Sequence, residues 1–274
     1  MKIKAHRLYH DDNNPYPYRR SPNTGGKVQH EYLVMHYTAG SSAESSIDYL
    51  TKRIAEASAH VVIGRDGKIT QLVPFDTVAW HAGTSSWEGL NGLNRYSLGI
   101  ELDNAGILTR QGNRWRAWFG SYYDDGEVME AVHKNETKLR GWHIYTPVQI
   151  ERALALADLL TNFYNLRDVV GHDDIAPGRK QDPGPAFPME SFRKRILGRA
   201  GDEDECYVTT TTLNIRMGPG TQHDLIPGGP LPQGTKLEIL QQEGSWRFVD
   251  VLDEVSGIMD LQGWVHGRYL RRSG

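Results

Sequence analysis

The chain has 274 residues, of which 38% are hydrophobic and 24% are charged, and its formal net charge is −3. This length exceeds the roughly 100 to 200 residues of a common domain, so two globular domains are the first expectation. The near-neutral charge makes nucleic acid a poor candidate partner, and the single cysteine, Cys206, excludes an intrachain disulfide and any Cys-x-x-Cys motif.

Residues 1–31 are rich in Asn, Pro, Tyr and Arg and show neither helical nor strand periodicity. They are expected to form an extended arm. This region contains no apolar run of the length that a secretory signal needs, and no later stretch approaches the roughly 18 apolar residues of a membrane span. The sequence therefore predicts no integral membrane segment, and it leaves open whether an export signal preceded it.

Three helices are expected after the arm. The first runs from Ala43 to Ala57, with Ile54 on its apolar face and Ser41 or Ser42 as its cap. The other two, of which the earlier opens with a proline suited to a first helical turn, are Pro147–Asn165 and Met189–Leu197.

Short apolar runs between these helices predict strands. They are Tyr32–Tyr37, His60–Ile63, Ile69–Val73, Ser97–Leu102 and Arg167–Val170. The second and third form a hairpin, because the Asp-Gly pair between them supplies the backbone angles of a tight turn. Interleaved strands and helices indicate an α/β or α+β sheet protein.

The composition changes after residues 198–205, which are small, polar and acidic. Beyond them, Thr runs and Gly-Pro turns separate four or five short strands within fewer than 70 residues. We therefore expect a first domain over residues 1–199 and a small all-β barrel over residues 206–274.

With one cysteine, a metal site has to use histidine and carboxylate ligands. His36 lies at the end of an apolar run that is predicted to be a strand. His172 and Asp182 bracket the loop GHDDIAPGRKQDPG. Its Pro and Gly residues disfavour a helix and allow the two ends of the loop to meet at one ion. Zinc hydrolases commonly use three protein ligands and leave the fourth position to water. Each residue alone is more often structural, so the three are candidates only as a set.

Two common zinc chemistries are excluded, because the chain has neither a His-Glu-x-x-His helix nor a zinc-deaminase motif. Five segments occur in the order VMHYTAG, SAHVVIGRDGKITQLVP, AWHAG, SLGIELDNAG and GHDDIAPGRKQDPGPAF. Over roughly residues 30–197 they resemble the type 2 N-acetylmuramoyl-L-alanine amidases, a zinc-dependent family similar to animal peptidoglycan recognition proteins. The resemblance implies an α/β fold with a mixed central sheet flanked by helices, and Zn²⁺ bound by His36, His172 and Asp182.

The resemblance also implies catalytic roles for Glu101 and Lys180. The family hydrolyses the amide that joins the lactyl group of N-acetylmuramic acid to L-alanine. A carboxylate there would move the proton of the attacking water, and an ammonium would steady the developing oxyanion. Without the family match, a salt-bridging surface glutamate and a solvated lysine are the simpler interpretations.

Four further residues are candidates for substrate binding. His81 is either a substrate contact or a partner of a metal-bound imidazole, and Asn104 either binds substrate or ends a strand. Between residues 105 and 147 an aromatic insert departs from the shortest family members. Its Trp115 and Trp118 are expected to wall one side of a glycopeptide groove, with simple packing of the insert as the alternative.

The segments TLNIRMGPGTQHDLI, LPQGTKLEILQQEGSWRFV and QGWVHGRYL resemble the bacterial Src-homology-3-like domains of wall enzymes. Such domains generally bind wall peptides, so this one would raise the local substrate concentration by tethering. A structural brace on the first domain is the competing interpretation.

The sequence thus predicts a zinc-dependent N-acetylmuramoyl-L-alanine amidase acting on peptidoglycan or muropeptides. Two alternatives stay open: a non-catalytic peptidoglycan-recognition protein, and a peptidase that cuts within the stem peptide. The compartment is undecided, since an exported enzyme would act in the periplasm or outside the cell and a recycling enzyme in the cytoplasm. The oligomeric state and the preference between anhydro-muropeptides and intact sacculus are not predicted.

Overall fold

The computed structural model describes residues 1–197, 206–258 and 261–273. The chain divides into two compact units, Met1–Leu197 and Gly198–Gly274. The linker expected at residues 198–205 lies outside the described residues. Within the described ranges, no helix combines the length and the apolar character needed to cross a membrane.

The first unit combines short strands with four α-helices. Its strands are β1 (Lys2–Lys4), β2 (Arg7–Tyr9), β3 (Thr24–Lys27), β4 (Tyr32–Tyr37), β5 (Val61–Ile63), β6 (Ile69–Gln71), β7 (Thr77–Ala79), β8 (Ser86–Trp87), β9 (Leu90–Asn91), β10 (Ser97–Leu102), β11 (Ile107–Gln111), β12 (Arg114–Arg116), β13 (Tyr122–Tyr123), β14 (Val128–Val132), β15 (Leu139–His143) and β16 (Asp168–Gly171). Its helices are α1 (Ala43–Leu50), α2 (Pro147–Tyr164), α3 (His172–Ile175) and α4 (Met189–Leu197), and single 3-10 turns lie at Arg53–Ala55, Leu93–Arg95 and Asp125–Glu127.

The central sheet has the strand order β16-β4-β10-β5-β6. Its first four strands are parallel and β6 is antiparallel to β5. The expected mixed sheet flanked by helices is therefore confirmed. The predicted strand boundaries are also close: Tyr32–Tyr37 and Ser97–Leu102 match β4 and β10, and the hairpin forms β5 and β6.

Both faces of this sheet are covered, which explains its nearly continuous apolar strands. On one face, Leu33 and Leu98 pack with Leu156 and Leu160 of α2 and Phe192 of α4. Each fully buried side chain of this kind contributes about 1.5–3 kcal/mol. Because side chains alternate along a strand, His36, the residue before the end of β4, projects to the opposite face.

Helix α1 is shorter than predicted. Ser42 caps it as expected, accepting a hydrogen bond from the Ser45 amide at 3.2 Å. The helix ends at Leu50, and Ile54 is 84% exposed instead of packed. The reason lies in the arm, where the Asn23 side chain donates hydrogen bonds of 2.8 Å to the carbonyls of residues 52 and 57 and holds this segment out of the helix.

Helix α2 begins and ends close to the predicted positions. Thr146 caps it, Pro147 occupies the first turn, and Asn165 ends it in the left-handed region with φ of 54°. The N-terminal arm, expected to be extended and without strand periodicity, forms an antiparallel pair of β1 with β2, and its β3 pairs with β7.

The aromatic insert folds into a sheet of its own, which the sequence did not predict. Its strands are antiparallel in the order β13-β12-β11-β15-β14. The ring of Trp115 lies over Gly141, where a Cβ atom would come within 2.5 Å of the indole. Leu108 and Ala117 join Trp115 in a small apolar core.

The second unit is an antiparallel sheet with the order β20-β19-β18-β17-β21. These strands are β17 (Cys206–Thr209), β18 (Lys236–Glu243), β19 (Trp246–Val251), β20 (Gln262–His266) and β21 (Leu270–Arg272). Ile215, Leu231, Leu237 and Val249 form its core. Five strands of the second unit within the described residues agree with the four or five expected.

A buried histidine makes the stability of the first unit sensitive to acid. His60 accepts a hydrogen bond from the Gly99 amide at 3.0 Å and donates one to the Thr77 carbonyl at 2.9 Å. Burial lowers the pKa of His60 to about 3. Below the ordinary histidine pKa of about 6.5, the unfolded chain therefore binds a proton that the folded chain refuses, and stability falls with pH.

We expect His60→Gln to remove this contribution while keeping a donor toward Thr77. Between pH 6 and pH 4, the loss of unfolding free energy should be shallower than in the wild type by up to one proton, or about 1.4 kcal/mol per pH unit. Urea unfolding followed by near-ultraviolet circular dichroism measures both slopes. Equal slopes in the two proteins would contradict the assignment.

Candidate metal centre and active site

Three neighbouring parallel strands end at one edge of the central sheet. His36 near the end of β4 pairs with Glu101 on β10, and Gly171 at the end of β16 pairs with Met35, so His172 follows beside His36. Parallel strands bring their carboxyl ends together, and ligands of open α/β sheets bind at that edge. The strand order thus brings together the imidazoles of His36 and His172 and the carboxyl group of Glu101, which are distant in the sequence.

The residues His36, His172 and Asp182 converge on one point. The Nδ1 atoms of the two histidines lie 2.9 Å apart, and each lies 2.9 Å from Oδ2 of Asp182. All three side chains are buried, at 1%, 2% and 7% exposure respectively. This group can hold a metal ion.

The donor set fits zinc. Zinc takes imidazole nitrogen and carboxylate oxygen as ligands at about 2.0–2.2 Å, and three such atoms 2.9 Å apart can reach one ion together. Burial, followed by the charge of His172, lowers the pKa of His36 to about 4. His36 is therefore neutral at pH 7, with a lone pair available on Nδ1.

His81 fixes the orientation of His36. Nε2–H of His36 donates to Nδ1 of His81 at 2.9 Å, and Nε2–H of His81 donates to the Ser97 carbonyl at 3.3 Å. Gly99 makes the space for this ring, since a Cβ there would lie 2.6 Å from it. Both ring nitrogens of His81 are engaged by the protein, an arrangement that fits the expected partner of His36, and His81 also lines the cleft.

His172 is oriented by a backbone carbonyl. Its Nε2–H faces the carbonyl oxygen of Ala82 at 3.2 Å, which leaves Nδ1 for the metal position. Arg179 donates to the same oxygen at 2.8 Å and to the Thr84 carbonyl at 2.7 Å. Arg179, which stands beside Lys180 in the loop that carries Asp182, was not predicted from the sequence as a site residue.

Glu101 faces the same cleft, a cavity of about 780 Å³ lined by all three candidate ligands and by Lys180. Its Oε2 is buried and has no hydrogen-bond partner among the described residues. Burial, with a smaller contribution from Asp182, raises the pKa of Glu101 to about 8, and Lys180 opposes this rise. The cleft thus contains a carboxyl group able to exchange a proton near neutral pH.

The remaining predicted binding residues separate into two groups. Trp118 is 78% exposed and lines the cleft, where its Nε1–H donates to the Ala39 carbonyl at 2.7 Å. Trp115 is 6% exposed and donates to Asp125 instead, so its ring is not available to a substrate. Asn104 is also buried. Its side-chain Nδ2 donates to the His143 carbonyl, and its Oδ1 accepts from the Gly106 amide.

A family model described as N-acetylmuramoyl-L-alanine amidase matches residues 26–185. The chain is 35% identical over 221 residues to N-acetylmuramoyl-L-alanine amidase AmiD of Escherichia coli (strain K12), which covers 77% of this chain and 65% of AmiD. It is 36% identical over 138 residues to 1,6-anhydro-N-acetylmuramyl-L-alanine amidase AmpD of the same strain, covering 50% of this chain and 56% of AmpD. The matches therefore span less than two thirds of these relatives.

Two solved structures, of an AmpD and of an AmiD, are similar to this chain. A crystal structure of an AmpD derivative has 26% identity and a TM-score of 0.48, covering 72% of this chain and 99% of that one. A complex of AmiD from E. coli with the substrate anhydro-N-acetylmuramic acid-L-Ala-D-gamma-Glu-L-Lys has 31% identity and a TM-score of 0.46, covering 68% and 63%. On the family match over residues 26–185, this chain belongs to the N-acetylmuramoyl-L-alanine amidase family.

The contact between Gly99 and His81 gives a test of the metal centre. We expect Gly99→Ala to push His81 away from His36 and to weaken zinc binding about 10- to 100-fold, as loss of the partner of a metal-bound imidazole commonly does. Competition with a chromophoric chelator measures the zinc dissociation constant. Gly126→Ala is the control, since a Cβ at Gly126 meets no atom within 4 Å; equal affinities in both variants would contradict the assignment.

Proposed function

We propose that the chain hydrolyses the amide bond between N-acetylmuramic acid and L-alanine in peptidoglycan or muropeptides, with Zn²⁺ bound by His36, His172 and Asp182. The observation that carries this proposal is the buried triangle of 2.9 Å formed by their ligand atoms. Membership of the amidase family supports it. The similarity to AmiD and AmpD, both named for cleavage at this amide, supports the choice of bond.

When bound, zinc would acidify water and polarise the scissile carbonyl. Glu101 takes the proton of the attacking water and returns it to the departing alanine nitrogen, because its carboxyl group faces the cleft without a competing partner. The positive charge of Lys180 lowers the raised pKa of Glu101. It thereby favours the carboxylate form that accepts the proton of water. Lys180, on the wall of the cleft, stabilises the negative charge that develops on oxygen.

Substitution of Glu101 separates catalysis from binding. We expect Glu101→Gln to keep zinc and substrate affinity but to lower kcat by at least about 100-fold, the usual contribution of general acid–base catalysis. Zinc content and turnover of a muropeptide are measured side by side, with Glu190→Gln, a substitution on the exposed face of α4, as the control.

Mass spectrometry of the products decides between the proposed function and its rivals. Cleavage at the proposed bond gives a free lactyl carboxyl group on the sugar and a peptide that begins with L-alanine. Products cut within the stem would instead identify a peptidase. Tight binding of muropeptide by the zinc-loaded wild type without any product would identify a recognition protein.

We place the substrate along Trp118. This indole is exposed yet anchored through its Nε1–H to Ala39, so it presents a fixed aromatic face beside the metal position. Such a face suits the apolar side of a sugar ring or the stem of a peptide. Of the two tryptophans expected to form an aromatic wall, Trp118 therefore serves as the substrate contact and Trp115 does not.

Two matched substitutions test this placement. Trp118→Ala should raise KM several-fold with little change in stability, since the side chain is 78% exposed. Trp115→Ala should instead cost about 3–5 kcal/mol of stability, because it empties the core of the insert. Steady-state kinetics and thermal unfolding of both proteins are compared, and an unchanged KM for Trp118→Ala would remove the proposed contact.

We further propose that the second unit is a bacterial Src-homology-3-like wall-binding domain. Its support is the antiparallel order of β17 to β21 around a separate apolar core, together with the turn and strand-end residues of the sequence. On its surface, Trp246 and Tyr269 each pack against the ring of His266 at centroid distances of 5.3 and 5.8 Å. Binding of the wall there would concentrate substrate near the first unit.

A further inference from the structure

The turn that joins β14 to β15 in the insert reaches back to the loop that carries two of the candidate ligands. We call residues 133–136 the clip, and residues 172–182 the ligand loop. Apart from the four residues of α3, the ligand loop contains no helix or strand. Inside the ligand loop, the Asp173 amide donates to the Asp182 carbonyl at 2.8 Å and so joins the two ends. An irregular segment of this length loses much conformational freedom when it is ordered, so contacts from other parts of the protein add to this restraint.

His133 makes the most buried of these restraints. Its exposure is 1%, and its Nε2–H donates to Oδ2 of Asp173, which directly follows His172, at 2.9 Å. The Asn135 amide donates to Nδ1 of His133 at 3.1 Å and so fixes the tautomer. The Asn135 side chain then donates to the backbone carbonyl of Asp173 at 2.9 Å.

Lys134 and Glu136 extend the contact to both ends of the ligand loop. The ammonium of Lys134 lies 2.8 Å from Oδ1 of Asp173 and 2.7 Å from Oδ1 of Asp174. It compensates two carboxylates that stand immediately after His172. Glu136 accepts a hydrogen bond of 3.2 Å from Gln181, the residue before Asp182.

We propose that the clip is a positioning element of the metal centre, which holds the ligand loop so that His172 and Asp182 meet at one cation. The identity of that cation rests on the proposed function. Both carboxylate oxygens of Asp173 contact the clip, Oδ2 through the hydrogen bond from His133 and Oδ1 through the ion pair with Lys134. The clip thus connects the insert to the candidate metal centre through the ligand loop.

The test measures zinc affinity, which does not depend on amidase activity. His133→Leu and Lys134→Met, made in the full chain, should each raise the zinc dissociation constant by up to about 10-fold. This is the lower end of the range for loss of a direct partner of a metal ligand, because the clip contacts residues beside the ligands and not the ligands themselves. His133→Gln keeps a donor at the position of Nε2 and should restore most of the affinity. Arg114→Gln breaks an exposed ion pair with Asp124 elsewhere in the insert and should leave it unchanged.

Thermal unfolding with and without zinc distinguishes positioning from general stability. A clip that positions the ligands lowers the gain in Tm that zinc gives, whereas a merely structural turn lowers both melting temperatures equally and leaves the zinc dissociation constant unchanged. That second result overturns the proposal. If His133→Leu does not fold, Lys134→Met decides, because this lysine side chain is 44% exposed and its removal opens no cavity.

The two proposals fail separately. Wild-type protein that cleaves the muramoyl-alanine amide while the clip variants bind zinc normally would remove the clip and keep the amidase. Clip variants that lose zinc in a protein without amidase activity would keep the clip and remove the amidase.

Discussion

Three electron-rich atoms held 2.9 Å apart in a buried cleft are the constraint on which this structure depends. Such atoms repel one another unless a cation or shared protons lie between them, so the scaffold has to supply the restraint. The sheet does this for His36, because the parallel neighbours of β4 fix the end of that strand on both sides. His172 follows directly on β16, which pairs with β4 on its other side. Asp182 comes from an irregular loop and needs separate support.

Burial gives the site its protonation states. It keeps His36 neutral by lowering its pKa, and it raises the pKa of Glu101 toward neutrality. The same loss of water thus keeps an imidazole unprotonated and brings the pKa of a carboxyl group close to neutral pH. The Nε2 atom of His36 donates to a second histidine, and the Nε2 atom of His172 faces a backbone carbonyl. Both rings therefore present Nδ1 to the same point.

The insert is part of the architecture of the site on two sides. One end presents Trp118 to the cleft, and the β14–β15 turn reaches the ligand loop through His133 and Lys134. Trp115 and Gly141 pack the sheet between these two ends. The antiparallel sheet connects these two parts of the insert through continuous strand pairing.

The sequence alone determined whatever depends on neighbours within a few residues. Apolar runs gave the bounds of β4 and β10, and a capping threonine followed by Pro147 gave the start of α2. Family segments indicated His36, His172 and Asp182 as a set, and the structure brings these three together.

Tertiary structure decided what depends on partners far away in the chain. Helix α1 stops early because the Asn23 side chain binds backbone carbonyls that follow it. Asn104 and Trp115 turn inward because their hydrogen-bond partners lie inside the insert. It also decided that His81 supports His36 and that His133 reaches the ligand loop, because a ring nitrogen acquires its role only from the atom that the fold sets against it.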